Sequence, residues 1–118
     1  MTATTTGASA EALAAQFLER QGLKLTEKNY RCRFGEIDLI MRDGNTVVFV
    51  EVRLRSHGAF GGAAASITAA KRHKLIACAR HYLAAGRAGT TPACRFDVVL
   101  LNKLDSAAIE WLRAAFGE

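Results

Sequence analysis

Two short segments of the chain place acidic residues inside otherwise apolar runs. They read GEIDLI at positions 35–40 and FVEVR at positions 49–53. Carboxylate oxygens are the ligands that hard divalent cations such as magnesium prefer. A cation held between Asp38 and Glu51 could polarise a phosphate ester and activate water for attack on it. These two residues are therefore the first candidates for chemistry.

A β-hairpin is predicted to bring the two segments together. Residues 36–42 and 47–54 alternate in polarity and are rich in β-branched residues, and the sequence DGNT between them favours a tight turn. If the turn is centred on its Gly-Asn pair, Asp38 lies directly opposite Glu51. A shift of one residue would place Glu36 opposite Glu51, so the acidic cluster is retained in either register.

The first register gives the hairpin two different faces. One face is expected to be wholly apolar and to carry Ile37, Leu39, Met41, Val48, Val50 and Val52. The acidic face also contains Ile40 and Phe49, which indicates that the carboxylates are partly buried, and it places Glu36 opposite Arg53. Like charges about 5 Å apart are destabilising unless a cation compensates for them. That cation could be a metal ion, or neighbouring arginines could form a purely structural ion-pair network.

The segment before the hairpin is predicted to form a helix and a short strand. Apolar residues at helical spacing indicate a helix over residues 9–21, with Ser9 as its N-cap and Gly22 just past its end. Alternating polarity then favours a strand over residues 23–27. Residues 1–8 are rich in threonine and alanine, and we expect them to be a disordered tail.

The segment after the hairpin is predicted to supply a second helix and two more strands. The helix runs from a cap at Thr68 to the residue before Gly86, and an apolar run indicates a strand over residues 94–101. Residues 107–116 suit either a strand or a short helix, and we favour a strand over residues 107–112 followed by a turn. Because the long helix would cross between two strands, these elements predict an α/β fold. Its mixed central sheet should have about four or five strands flanked by helices.

The composition is typical of one small intracellular domain. A chain of 118 residues suits a single domain, which we assign to residues 9–118. No apolar run approaches the roughly 18 residues of a membrane span, and no secretory signal is evident, so we expect no membrane partner. Three widely spaced cysteines suggest thiols in a reducing cytoplasm. The net charge of +5 favours an anionic partner such as nucleic acid.

Together with RFDVV at positions 95–99, the two acidic motifs closely resemble the YraN-like family of predicted endonucleases. The resemblance extends from Gly7 to Phe116 and includes Asn29, the GAFG sequence at 58–61, and Lys71. That family is similar in layout to archaeal Holliday-junction resolvases within the restriction-endonuclease-like PD-(D/E)XK nuclease superfamily.

The superfamily pattern is a helix-borne glutamate, an aspartate and an E-x-K motif, and the corresponding residues here are Glu11, Asp38 and the run Glu51 to Arg53. The resemblance implies that Glu11, Asp38, Glu51 and the carbonyl of Val52 hold Mg²⁺ or Mn²⁺ and that Arg53 contacts the phosphate. Arginine keeps the charge of the usual lysine, but with a pKa above about 12 it cannot act as a base.

Three functions remain open on these residues. The first is a metal-dependent nuclease that acts on DNA, including branched or damaged DNA, as a homodimer if it cuts two strands symmetrically. The second is an inactive nucleic-acid-binding module in which Arg53 has abolished turnover. The third is a structural or interaction protein. Candidate contacts to nucleic acid are Lys71, Lys74, Arg55 and His57, although each could equally be a solvated side chain.

Overall fold

The computed structural model describes residues 6–54, 67–86, 93–101 and 109–117 of the chain. The described residues form two helices and five strands. In chain order they are α1 (Thr6–Arg20), β1 (Lys24–Cys32), β2 (Gly35–Asp43), β3 (Thr46–Leu54), α2 (Ala69–Ala84), β4 (Cys94–Leu101) and β5 (Ile109–Phe116).

The five strands lie side by side in one sheet in the order β1-β2-β3-β4-β5. β3 and β4 run parallel, whereas the other neighbours are antiparallel. A parallel pair requires a crossover connection, and α2 lies in the connection between β3 and β4. The prediction of a mixed sheet of four or five strands flanked by helices is therefore confirmed.

Alternate residues of the β2–β3 hairpin pack against different helices, so the sheet has a core on each face. The cluster on the α1 side includes Leu18, Leu39, Met41, Val48 and Val50. The cluster on the α2 side includes Ile40, Val47, Phe49, Leu75 and Tyr82. Full burial of one such side chain stabilises the fold by about 1.5–3 kcal/mol. Packing on both faces thus holds the hairpin in place, and with it the strand ends that carry the acidic residues.

The helix ends follow the capping residues that the sequence provides. At the end of α1, the backbone N–H of Leu23 donates to the Leu18 carbonyl at 3.1 Å, and that of Gly22 donates to the Glu19 carbonyl at 3.0 Å. Gly22 has a φ of 100°, so glycine is required at this Schellman-type end. At the start of α2, the Thr68 side chain accepts a hydrogen bond from Lys71 N, as the sequence predicts.

The start of α1 differs from the prediction. The helix begins at Thr6, so Ser9 lies inside it and does not cap it. Residues 6–8 belong to this helix and not to a disordered tail, while residues 1–5 lie outside the described part of the chain. The expected cap was wrong because Thr6, Gly7 and Ala8 extend the helix, and none of these residue types is large and apolar enough to add to the helical pattern.

The two edge strands are longer than predicted. β1 continues beyond residue 27 to Cys32, although a register shift between Leu25 and Glu27 interrupts its alternation. β5 does not end in a turn after Leu112 but continues to Phe116 through another register shift. Irregularities of this kind reverse which side chains face the core, so a strict period of two cannot follow them.

Two other sequence expectations concern membranes and loops. No helix among the described residues is long and apolar enough to span a bilayer. The glycine-rich segment at 58–61, together with Arg55 and His57, lies outside the described residues.

Candidate active site

The predicted hairpin register is correct and sets the positions of Asp38 and Glu51. The backbone pairing of β2 with β3 ends at Leu39 and Val50, one step before these two acids. Beyond that pair, the backbone N–H of Val52 donates to Oδ2 of Asp38 at 2.9 Å. The side chain of Asp38 thus takes the place of a main-chain carbonyl as the acceptor. The carboxyl group of Asp38 is thereby held in the gap where the two strands separate.

Asp38 also lies at an irregular point of the sheet. In β1, Asn29 falls opposite Asp38 in the register and has a φ of 52°, a left-handed value that is uncommon for a residue with a side chain. Ile37 packs on the α2 side, whereas Leu39 packs on the α1 side. The prediction that these two residues share a face is therefore wrong, because the alternation of β2 is interrupted at Asp38. Strand irregularities are common next to functional sites.

Glu51 is a buried carboxyl group with two cationic neighbours. It is only 4% exposed. Its Oε2 lies 3.4 Å from the Nζ of Lys71 and 3.4 Å from an Nη of Arg53. Burial and the nearby Asp38 carboxylate raise the pKa of Glu51 to about 7, while Lys71 and Arg53 oppose that rise. Desolvation and repulsion thus outweigh the two cations, so the ionised site lacks full compensation.

Glu11 reaches the same region from α1. With the amide of Asn29 oriented so that its nitrogen donates, that nitrogen lies 2.9 Å from Oε1 of Glu11 and 2.9 Å from Oε2 of Glu36. Burial raises the pKa of Glu11 to about 7, and Asp38 and Glu36 contribute further, while the Asn29 hydrogen bond lowers it. Glu36, which the predicted register places opposite Arg53, forms an ion pair with Arg31 of β1 at 3.5 Å.

Asp38 connects the two glutamates. Burial raises its pKa, while hydrogen bonds from Val52 N and with Glu51 and Glu11 lower it. The electrostatic neighbours of Glu11 and of Glu51 both include Asp38. Three carboxyl groups from α1, β2 and β3 therefore converge, with Asp38 in the middle. We call Glu11, Asp38 and Glu51 the carboxylate cluster.

The residue types of the carboxylate cluster fit a hard divalent cation, because all its donors are oxygens and its members repel one another when ionised. Among the described residues, however, no three His, Cys, Asp or Glu side chains converge closely enough to hold a metal ion as they stand. Oε2 of Glu51 is directed to Lys71 and Arg53 instead. An ion shared by the cluster would compete with these two contacts for the Glu51 carboxylate.

The predicted nucleic-acid contacts do not all lie at the carboxylate cluster. Lys71 contacts Glu51, but Lys74 lies one turn further along α2, is exposed, and sits beside Gly35. A β-carbon placed on Gly35 would lie 3.8 Å from that of Lys74. Arg55 and His57 lie outside the described residues, so their positions relative to the cluster stay predictions.

Sequence reasoning missed two contacts at the cluster. Asn29 was noted only as a family residue, yet its amide bridges Glu11 and Glu36. Lys71 was considered a phosphate contact on a helix face, whereas its ammonium group lies against Glu51. Both residues belong to the family motifs, which was a signal that they could be important. Nothing in the sequence, however, indicates which acidic side chains they contact.

A second buried acid, Asp97 of β4, has a structural environment. It is fully buried and accepts hydrogen bonds from Arg95 Nε at 3.0 Å, Trp111 Nε1 at 3.0 Å and Ala114 N at 2.9 Å. Ala114 has a φ of 49° at the register shift of β5. The Asp97 carboxylate therefore fills the gap in pairing at this irregular edge.

The fold and cluster define an α/β protein with a mixed five-stranded sheet, a helix on each face and converging carboxyl groups where the β2–β3 hairpin opens. The chain belongs to the UPF0102 family, described as an uncharacterised protein family, whose profile matches residues 10–101. This is the YraN-like family that the motifs indicate, so that prediction is confirmed. The matched range contains Glu11, Asp38, Glu51 and Lys71.

Several relatives of similar length are close in sequence. A UPF0102 protein of Nitrosomonas europaea is 64% identical over 112 residues, which cover 95% of this chain and 93% of the relative. One from Methylobacillus flagellatus is 61% identical over 110 residues, which cover 93% and 95%. Another from Ralstonia nicotianae is 53% identical over 119 residues, which cover 98% and 88%. The similarity thus extends over nearly the whole of each chain.

Proposed function

We propose that this protein is a divalent-metal-dependent nuclease that hydrolyses phosphodiester bonds in DNA. The observation that carries the proposal is the convergence of Glu11, Asp38 and Glu51 from three separate elements of the fold. A purely structural ion-pair network would be expected to match these acids with cations. Here burial and mutual repulsion outweigh the cations, a pattern found more often at functional sites than in structural networks.

The carboxylate cluster, with the main-chain carbonyl of Val52, would hold Mg²⁺ or Mn²⁺. When bound, such an ion polarises a phosphate ester and lowers the pKa of water. The chain itself fixes the orientation of Asp38 through the Val52 N–H and that of Glu11 through Asn29. These supporting hydrogen bonds preorganise the two carboxyl groups, which is what a metal site requires of its surroundings.

Lys71 supplies the amino group that the E-x-K motif lacks. Its Nζ lies as close to Glu51 as the guanidinium of Arg53 does. Arg53 would clamp a phosphate oxygen through two parallel hydrogen bonds, and Lys71 would stabilise charge on the reacting phosphate or orient the water. The replacement of the motif lysine by Arg53 is therefore compatible with catalysis, because a lysine reaches the cluster from α2.

The wider assignment follows from the same arrangement. An acidic hairpin, a helix-borne glutamate and a nearby lysine are consistent with the restriction-endonuclease-like PD-(D/E)XK superfamily, to which we assign the chain. The net charge of +5 favours binding to a nucleic-acid backbone. One domain carries one cluster, so symmetric cleavage of two strands would require a homodimer. Branched and damaged DNA are the substrates to test first.

The alternative is a nucleic-acid-binding module without turnover. One observation favours it: Lys71 and Arg53 already occupy the Glu51 carboxylate, so the cluster could be held together without any metal. In that case the two cations would not be available to a phosphate, and DNA binding would depend on exposed residues such as Lys74.

Manganese titration by calorimetry tests the proposal, using the full chain, Glu11→Gln and, as a matched control on the same helix, Glu19→Gln. We expect binding by the natural chain and by Glu19→Gln, and at least tenfold weaker binding by Glu11→Gln. Incubation with four-way junction, flap and linear DNA in manganese then tests cleavage.

Cleavage that is lost on Glu51→Gln would establish the nuclease. Metal binding without cleavage of any of these substrates, followed by a gain of cleavage on Arg53→Lys, would favour the binding module. Equal manganese binding by the natural chain and a Glu11→Gln/Glu51→Gln double variant would overturn the metal site itself.

A further inference from the structure

Two of the three cysteines, neither of them a member of the carboxylate cluster, lie in contact. Cys32 ends β1 and Cys78 lies in the middle of α2, and their sulfur atoms are 3.1 Å apart. Each is present as a thiol, as is Cys94. Two sulfur atoms at this distance are in hydrogen-bond contact. The packing of β1 against α2 therefore places the two thiols directly against each other.

The two thiols have unlike surroundings. Cys78 is fully buried, and its Sγ lies 3.6 Å from the carbonyl oxygen of Gly35, to which its thiol can donate. Cys32 is partly exposed at the β1–β2 turn, and its Sγ accepts a hydrogen bond from the backbone N–H of Phe34 at 3.3 Å. The guanidinium group of Arg33 adds positive charge nearby. An accessible sulfur with N–H donors and a cation around it is the environment of a reactive cysteine.

We propose that Cys32 and Cys78 are a reversible oxidation site, in which a hydroperoxide oxidises the sulfur of the partly exposed Cys32 and the buried thiol of Cys78 then closes an intramolecular disulfide. This inference is independent of the proposed nuclease. The disulfide would connect β1 to α2, the helix that carries Lys71 two turns earlier.

The acid–base properties of the pair agree with this assignment of roles. Burial raises the pKa of Cys32, but its hydrogen bond with Cys78 and those from the backbone at Phe34 and Gly35, together with the charge of Arg33, bring that pKa below its usual value. Burial and the neighbouring Cys32 sulfur raise the pKa of Cys78 to about 12. Cys32 is therefore the nucleophile, and Cys78 keeps its proton until the second step.

The chemistry balances with a hydroperoxide as the only oxidant. The Cys32 thiolate attacks the terminal oxygen, the O–O bond breaks, and Cys32 becomes a sulfenic acid while an alkoxide or hydroxide leaves. The Cys78 sulfur then attacks the sulfenic sulfur, so that the S–S bond forms and the S–O bond breaks. Hydroxide leaves and takes the Cys78 proton as water, and two electrons in total pass from the thiols to the peroxide.

The geometry favours ring closure over overoxidation. A disulfide requires the sulfurs to approach to about 2.05 Å, so they must move by only about 1 Å from their present separation. The two residues are 46 positions apart in sequence, and closing a long loop restricts the unfolded chain. We therefore expect the oxidised protein to unfold at a temperature on the order of 10 °C higher than the reduced protein.

The test uses the full chain with one equivalent of hydrogen peroxide, followed by alkylation and mass spectrometry. We expect the loss of two alkylatable thiols, a Cys32–Cys78 cross-linked peptide after proteolysis, and recovery of both thiols with dithiothreitol. Cys94→Ser is the matched control and should behave as the natural chain does.

Cys32→Ser should retain both remaining thiols under the same treatment, whereas Cys78→Ala should accumulate sulfenic or sulfinic acid on Cys32. The peptide map of the natural chain keeps the test decisive if Cys78→Ala does not fold. Disulfides that involve Cys94, disulfides between chains, or equal oxidation of all three thiols would overturn the proposal.

Discussion

The side chain of Asp38 accepts a hydrogen bond from the backbone N–H of Val52 at 2.9 Å, at the point where the β2–β3 ladder ends. One carboxyl group thus both closes the backbone pairing of the sheet and stands between two glutamates. The structural and the electrostatic role of Asp38 can be separated by substitution, because an amide side chain keeps the acceptor oxygen but removes the charge. The predictions below use substitutions of this kind.

Asp38→Asn should leave the fold intact and remove metal binding. The asparagine oxygen can still accept from Val52, and the loss of charge relieves repulsion with Glu11 and Glu51, so the metal-free variant should unfold no earlier than the natural chain. Asp38→Ala leaves the Val52 N–H without this acceptor, at a cost of about 1–3 kcal/mol. Thermal unfolding measured with and without added magnesium separates the two effects, because an ion that binds only the folded state raises the unfolding temperature. An unchanged magnesium response in Asp38→Asn would contradict the metal assignment.

Lys71→Met should be far more damaging to DNA cleavage than Lys74→Met. Both residues lie on α2 one turn apart, and the described ion pairs of Glu51 include Lys71 but not Lys74. We expect a loss of roughly 100-fold or more in the rate of cleavage for Lys71→Met, the usual magnitude for removing a stabilising donor from an active site. Lys74→Met should alter chiefly the salt dependence of DNA binding. Equal effects of the two substitutions on the cleavage rate would place Lys71 outside the chemistry.

The stability of the metal-free protein should increase as the pH falls from 8 towards 5. The pKa values of Glu11 and Glu51 rise to about 7 in the folded state, from 4.5 for the unperturbed group. The fold therefore favours the protonated carboxyls, and their contribution is fully present below pH 4.5 and is lost as the pH rises through 7. Unfolding temperatures measured across this range check the prediction.

A Glu11→Gln/Glu51→Gln double variant provides the control for this pH dependence. It should lose most of the increase between pH 8 and pH 5, because neither position can take up a proton. A pH profile identical to that of the natural chain would show that other groups cause the change.

Asp97→Asn should destabilise the protein by about 3 kcal/mol or more. Asp97 is fully buried and accepts from Arg95, Trp111 and the backbone of Ala114, and an uncharged amide with a single acceptor oxygen cannot satisfy all three donors. Of its described ion pairs, the Arg95 guanidinium would keep only the one with Asp43 at 3.0 Å. Chemical denaturation monitored by Trp111 fluorescence measures the change.

Arg113→Gln is the matched control for Asp97→Asn. It breaks the largely exposed ion pair of Arg113 with Asp43, at 3.3 Å, and should change the free energy of unfolding by less than about 1 kcal/mol. A small effect of Asp97→Asn, comparable to this control, would refute the anchoring role of Asp97.

The amino-acid sequence by itself determined the elements whose signals are local. The hairpin register followed from the turn sequence and alternating polarity, and Thr68 and Gly22 marked helix ends because capping depends on residues a few positions apart. The helical pattern of α2 indicated a crossing to the strand that begins at Cys94, and the structure shows that this strand pairs in parallel with β3. The position of Asp38 opposite Glu51 was predicted because it follows from the hairpin register alone.

Only the tertiary structure decided how the acidic residues are surrounded. The left-handed φ of Asn29 and the break at Asp38 move Ile37 to the other face, and no period of two can express such an interruption. The contact of Lys71 with Glu51 and that of Cys32 with Cys78 join β-strands to α2 over long stretches of chain. Contacts of this kind depend on how packed layers are oriented, which local propensities do not specify.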